Sequence, residues 1–375
     1  MNGNLRVGNL FGIPFFVNVS WFLVLALVTW DYGGGLANAF PQLGGALPWV
    51  LGLGAALTLF ASVLAHELGH SFAAMRQGIK VNSITLFLFG GLAALEKESE
   101  TPAGSFWVAI AGPLVSFALF ALFFITGQVL SLSGPIGAIV ALLAYINLAL
   151  GAFNLIPGLP LDGGNVLKAI VWKVTGKPYQ GLVFASRVGR LIGWTAIALG
   201  AASIFGITTF GNVWTLLIGL FLLQNANRTA QFGEIQGRLQ GLTAEDAVTS
   251  DSPVVHTTTT LRDFADDTLL SGDITWRKFL ITNDEGELVG TVRVESLKQI
   301  PREQWAEMTV DAIMESADSA MDTVSSDKPL MEVIQTLETK GLHTLAVVRE
   351  NGALVGLLEK ASIQALLQNR QPQAA

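Results

Sequence analysis

The sequence predicts a membrane all-α, six-helix polytopic domain with a short β-hairpin, followed by a soluble α/β domain built from two repeats. Three observations carry this. Of 375 residues, 51% are hydrophobic and only 14% charged, against roughly 25% charged in an average soluble domain. The charges are displaced toward one end: residues 1–227 hold 9 Lys/Arg and 6 Asp/Glu, whereas 228–375 hold 13 and 23. A twelve-residue pattern recurs in the second part at an offset of 66 residues. The absence of Cys excludes a disulfide scaffold. Net acidity with no basic stripe argues against a nucleic-acid partner.

A helix needs about 20 residues to cross the hydrocarbon, and a charge buried there is costly, so the uncharged runs mark the spans. Residues 7–30 form one such run and predict a first span near 10–30, longer than the apolar core of a signal peptide. Residues 31–45 are rich in Gly, Asn and Pro and read as a loop before a second span near 47–75. The 61 uncharged residues from 101 to 161 are broken by Leu132-Ser133-Gly134-Pro135 into spans near 104–127 and 135–156. The last run, to residue 227, predicts spans near 184–205 and 211–227, divided around 206–211. Together these give a membrane domain over 1–228, a linker over 229–241 and a soluble domain over 242–370.

Lys and Arg near span ends favour the cytoplasmic side. In a six-span chain the basic residues fall on one side and the opposite loops carry only Asp31, so both termini are expected in the cytoplasm of a multi-pass membrane protein. That count requires residues 81–95 not to cross. They are rich in β-branched and aromatic residues before Gly90-Gly91 and read as a hairpin. Such backbone at membrane depth must be covered by protein or line a wet cavity, which puts it beside a functional site.

In the soluble part, residues 279–290 and 345–356 match each other, with Leu288-Val289-Gly290 over Leu354-Val355-Gly356. Each unit reads as strand, hairpin turn, strand and helical tail (295–300 and 360–367), with helices expected upstream at 261–270 and 329–340. This organisation resembles a tandem pair of cystathionine-β-synthase (CBS) modules. The resemblance implies a regulatory domain, possible pairing of two copies and an adenine nucleotide in the cleft between repeats. At the positions where nucleotide-binding modules carry Thr or Ser followed by Asp, this chain has Arg293 and Ser296, then Glu359 and Ser362. Neither repeat keeps the Asp.

The chemistry centres on His66-Glu67-Leu68-Gly69-His70. Residues i and i+4 share one helix face, so two imidazoles can grip one ion, with Glu67 beside them as general base. Three ionisable groups in an apolar helix are difficult to explain structurally. Two His leave a catalytic Zn²⁺ one protein ligand short. Asp162 is the candidate third ligand, because Pro157, Pro160 and Gly163-Gly164 break the helix and let its carboxylate bend back. A CBS-gated transporter using His66, Glu67, His70 and Asp162 as an ion pathway is the alternative, but a pathway needs neither Glu directly after the first His nor His four residues on. Ile110-Ala111-Gly112-Pro113 reads as a close helix-packing contact, and His256 and His343 as structural.

With these residues stated, the first 228 resemble the site-2 protease family of intramembrane metalloproteases. That family pairs an HExxH helix with an N-x-x-P-x-x-x-L-D-G segment, here Asn154 to Gly163. One branch of it carries CBS modules. The resemblance implies Zn²⁺ on His66, His70 and Asp162, catalysis by Glu67 and cleavage of a membrane-spanning regulatory protein in a bacterial cytoplasmic or thylakoid-type membrane. Asn154 is expected to contact the substrate backbone or the oxyanion.

Overall fold

The structure is a computed structural model that describes residues 3–88, 90–249, 251–270, 276–316 and 321–369. Contacts divide the chain into Met1–Glu234 and Ile235–Ala375.

The N-terminal unit opens on an antiparallel hairpin, β1 (Asn4–Leu10) and β2 (Ile13–Asn18), before helix α1 (Val19–Ala39). The first span expected at 10–30 therefore starts nine residues later. Absence of charge marks burial and does not separate strand from helix; the turn at Phe11-Gly12, with φ of 51° and 84°, ends the strand instead. The loop expected at 31–45 is also corrected, since α1 continues to Ala39. Its glycines serve packing: a Cβ on Gly33 would stand 2.6 Å from the Trp49 ring, and one on Gly52 would stand 2.8 Å from the Gly33 nitrogen. These two glycines bring α1 against α2 (Leu47–Met75).

After α2 come β3 (Val81–Phe87) and β4 (Gly90–Leu95), the hairpin the sequence predicts. Strand β2 pairs in parallel with β3, giving one sheet of order β1-β2-β3-β4 with β4 at its edge. Ile13, Val81 and Ile84 pack with Leu64 and Leu68 of α2. The sheet is thereby fixed against the helix turn that carries His66 and Glu67.

Helices α3 (Pro102–Val129) and α4 (Gly134–Asn154) form an antiparallel pair. The amphipathic helix α5 (Asp162–Thr175) and then α6 (Pro178–Ile204) follow. Helices α1 to α4 and α6 are five that are long and apolar enough to cross a membrane. The sixth expected span falls in α7 (Val213–Leu239), whose uninterrupted apolar part ends at Leu223, before Gln224 and Asn225. Helix α7 still runs antiparallel along α6. Cβ atoms on Gly200, Gly193 and Gly233 would lie 2.5 Å from Leu216 N, 2.9 Å from Leu223 N and 3.0 Å from Val183 Cγ2. Most of the linker expected at 229–241 is also α7, because 229–239 holds helix-forming Ala, Gln, Glu, Arg and Leu with no Pro.

The C-terminal unit contains two sheets, β5 (Val254–His256), β6 (Lys278–Thr282), β7 (Leu288–Arg293) and β8 (Glu315–Ser316) in one, and β9 (Thr323–Ser325), β10 (Thr344–Val348) and β11 (Leu354–Glu359) in the other. Helices α8 (Leu261–Leu270), α9 (Leu330–Thr339) and α10 (Lys360–Asn369) pack on them. The first repeat's expected helical tail is a 3₁₀ turn, Val294–Gln299. The two hairpins clasp reciprocally: Leu288 N donates to Gly352 O (3.2 Å) and Leu354 N to Gly286 O (2.8 Å). Both bonds respect the 66-residue offset, so the repeats are related by a local two-fold.

Candidate metal centre and active site

Helix α2 presents His66 and His70 one turn apart toward α3 and α5. A Cβ on Gly69 would sit 2.8 Å from the Ala111 carbonyl oxygen, so this glycine lets α2 and α3 approach closely. On the facing side of α3, Gly112 lies under both imidazoles. A Cβ there would fall on His70 Nε2 and 2.7 Å from His66 Nε2. The sequence marks Gly112 as a packing residue; in the structure its missing side chain is the space above the two ring nitrogens.

Asp162 is the first residue of α5, where the helix N-terminus favours a carboxylate. The chain reaches it through a tight turn from α4. A Cβ on Gly163 would strike the Leu155 backbone and one on Gly164 the Leu159 nitrogen, so both glycines are needed for the turn to fold onto the start of α5. Leu159 N donates to Ala185 O at 3.3 Å, tying the turn to α6.

These elements bring three donor atoms together. His66 Nε2 lies 3.1 Å and His70 Nε2 3.3 Å from Asp162 Oδ2, and the two imidazole nitrogens are 3.2 Å apart. His66 is 3% exposed. The other ring nitrogens are engaged as metal-bound histidines require. His70 Nδ1 donates to the Val108 carbonyl at 2.7 Å, which leaves its Nε2 as a lone pair. His66 Nδ1 meets Ser116 Oγ at 2.9 Å.

This donor set fits zinc. Ligands about 2.0–2.1 Å from a tetrahedral ion lie about 3.3–3.4 Å from one another, close to the separations observed. Two imidazoles and a carboxylate are also a known catalytic zinc set. Nitrogen lone pairs and a carboxylate converging at this distance repel one another unless a cation or proton stands between them.

Glu67 lines a cavity of about 290 Å³ that it shares with His70 and Asp162. The edge strand β4 forms one wall, and Gly91 lies so close that a Cβ there would stand 2.8 Å from Glu67 Cδ. Leu92 and Ala93 of the same strand line the cavity beside Glu67. On the opposite wall Asn165 and Lys168 of α5 join Asp162. No motif marks either residue in the sequence; the signal is their i+3 and i+6 spacing from Asp162 on the helix that begins there. Asn154 is the last residue of α4, half-buried and outside the cavity lining.

In the C-terminal unit His256 Nε2 pairs with Asp284 at 3.2 Å. Ser362 Oγ donates to Ala247 O at 2.7 Å, and Arg293 pairs with Glu315. Two of the four positions that correspond to CBS nucleotide contacts are thus occupied by local partners.

Comparison with known proteins matches the model of peptidase family M50 to residues 54–137 and 130–196, and that of the CBS domain to residues 310–368. A protein of Synechocystis sp. named as a zinc metalloprotease is 53% identical over 98% of this chain and 96% of its own length. Rip3 of Mycobacterium tuberculosis, also named as a zinc metalloprotease, is 32% identical over 98% of this chain and 93% of its own. Among solved structures, the site-2 protease of Methanocaldococcus jannaschii is 29% identical, covering 60% of this chain and 95% of that one with a TM-score of 0.44.

Proposed function

The chain belongs to peptidase family M50, the site-2 proteases, with a CBS domain near its C-terminus, and from that premise we propose how its residues cut a membrane-spanning protein. It is a multi-pass zinc metalloprotease. In the proposal His66 Nε2, His70 Nε2 and Asp162 Oδ2 hold the ion. The convergence of these three donors within 4.8 Å is the observation that carries the reading.

Bound zinc supplies an acidified water and a Lewis acid for the scissile carbonyl. Glu67, in the wall of the same cavity as His70 and Asp162, takes the proton from the attacking water and returns it to the leaving amine. The oxyanion contact expected at Asn154 has no cavity-lining position to support it. Asn165, which lines the cavity, takes that place in the proposal, its amide donating to the developing charge. A substrate helix hides its peptide bonds in its own hydrogen bonds, so it must unwind before cleavage. The free edge of β4 beside Glu67 offers the unwound strand a row of backbone partners.

The substrate class we infer is a membrane-anchored regulatory protein, released by cleavage within the bilayer of a bacterial cytoplasmic or thylakoid-type membrane. Both termini lie in the cytoplasm in this proposal, and the antiparallel course of α7 along α6 supports it. The CBS pair modulates activity by joining two copies. No nucleic acid takes part, since residues 228–375 carry 23 acidic against 13 basic residues.

Substrate trapping tests the reading. Expressed in the native cell, Glu67→Gln should accumulate uncut membrane-bound precursors that the parent protein clears. An identical set of membrane fragments with parent and variant would contradict it.

A further inference from the structure

The cleavage cavity holds one cation that the chemistry above leaves unused. Lys168 is 5% exposed, and its ammonium pairs with Glu98 in the segment joining β4 to α3. The partner is unlike it: the Glu98 side chain is 74% exposed. An ammonium has three N–H donors, and Glu98 is its single hydrogen-bond partner among the described residues. The remaining donors lie in a cavity whose walls also carry Glu67, Asp162 and β4. Burying an ammonium against a carboxylate that stands in water is a poor device for stability, since an apolar residue of similar volume would do as well or better. Neighbouring charges do not compete for the pair, because Lys97 is taken by Glu100.

Building on the proteolytic reading, we propose that Lys168 is a specificity-determining residue that binds an acidic side chain of the substrate two or three residues from the scissile bond. Glu98 occupies the ammonium in the free protein and gives way as the substrate carboxylate arrives. The spacing comes from α5 itself. Asp162 and Lys168 are six residues apart on one helix, about 9 Å along its axis. An extended strand advances about 3.3 Å per residue, so that distance spans two to three residues of a substrate held along β4. The choice of an acid follows from charge. A substrate carboxylate replaces Glu98 like for like, so the buried ammonium is never left uncompensated. A neutral carbonyl would leave it so, and a substrate Lys or Arg would add repulsion.

The full-length protein in detergent is incubated with a random peptide library, and the new termini are read by mass spectrometry. The parent should favour Asp or Glu over Lys or Arg about tenfold at the second or third residue from the bond. Lys168→Met should flatten this preference, and Glu98→Gln, which frees the ammonium, should raise it. Since Glu98 is exposed, its variant carries the test if Lys168→Met does not fold. A binding measurement stands apart from catalysis: Glu67→Gln protein should bind a labelled peptide with a central Asp about tenfold more tightly than its Asn twin, and adding Lys168→Met should abolish the difference. Absence of cutting with that binding difference intact would count against the proteolytic reading and uphold the Lys168 subsite. Equal binding of the two peptides, or a cleavage profile that Lys168→Met and Glu98→Gln leave unchanged, overturns it.

Discussion

Ser116 Oγ lies 2.9 Å from His66 Nδ1, and Ser116 stands one turn after Gly112 on the same face of α3. One helix thus supplies both the space above the imidazoles and the group that orients one of them. Partners of this kind typically change metal affinity 10–100-fold when removed. Ser116→Ala should therefore weaken zinc by a factor in that range, read as zinc retained during chelator titration, with the melting temperature of the zinc-loaded protein little changed.

Gly112→Ala should be more severe. Its added Cβ would stand 2.7 Å from His66 Nε2 and closer still to His70 Nε2, so the imidazoles or α3 must move. A displacement near 1 Å at a reacting centre costs on the order of a hundredfold in rate. Loss of zinc and of cleavage together is expected, measured as metal content and turnover of a model substrate. Parent-like values for both would mean that α3 yields freely at this point.

Much of this centre is legible in the sequence, for a physical reason. Charges are so costly in an apolar helix that His66, Glu67 and His70 stand out, and helix periodicity then puts both imidazoles on one face. The glycines resist such reading. Gly33 looks like a loop residue and packs two helices, whereas Gly112 looks like a packing residue and shapes the metal site. A missing side chain carries no sign of what occupies its space. The β1–β2 hairpin is hidden for a related reason: residues 7–30 are uncharged throughout, and lack of charge is common to strand and helix. Asn165 and Lys168 carry a weaker signal, their position after Asp162 on the helix that begins there.

The contact of α1 with α2 gives a stability prediction with its own control. Gly52→Leu would drive a side chain into the Gly33 backbone and Thr29 carbonyl. Overpacking of this kind costs typically 1–3 kcal/mol, so the melting temperature in detergent should fall by several degrees. A Cβ added at Gly54 would meet nothing within 4 Å. Gly54→Ala should therefore be neutral or slightly stabilising, because Ala favours a helix interior.

For the CBS pair, the local engagement of Ser362 and Arg293 predicts that AMP and ATP leave the melting temperature of the full-length protein unchanged. A ligand at 100 times its Kd would stabilise the folded unit by about 2.7 kcal/mol, a readily visible shift. A saturable rise with either nucleotide would mean that the cleft binds adenine nucleotide by other residues.

The central claim is that Glu67 moves the proton while His66, His70 and Asp162 hold the ion. Purified Glu67→Gln, assayed together for zinc content and for proteolysis, tests it most directly. Loss of a general base lowers rate by roughly 10²–10⁴-fold, so the account predicts parent-like zinc with cleavage reduced by that factor. Cleavage at the parent rate in the Glu67→Gln protein would contradict it.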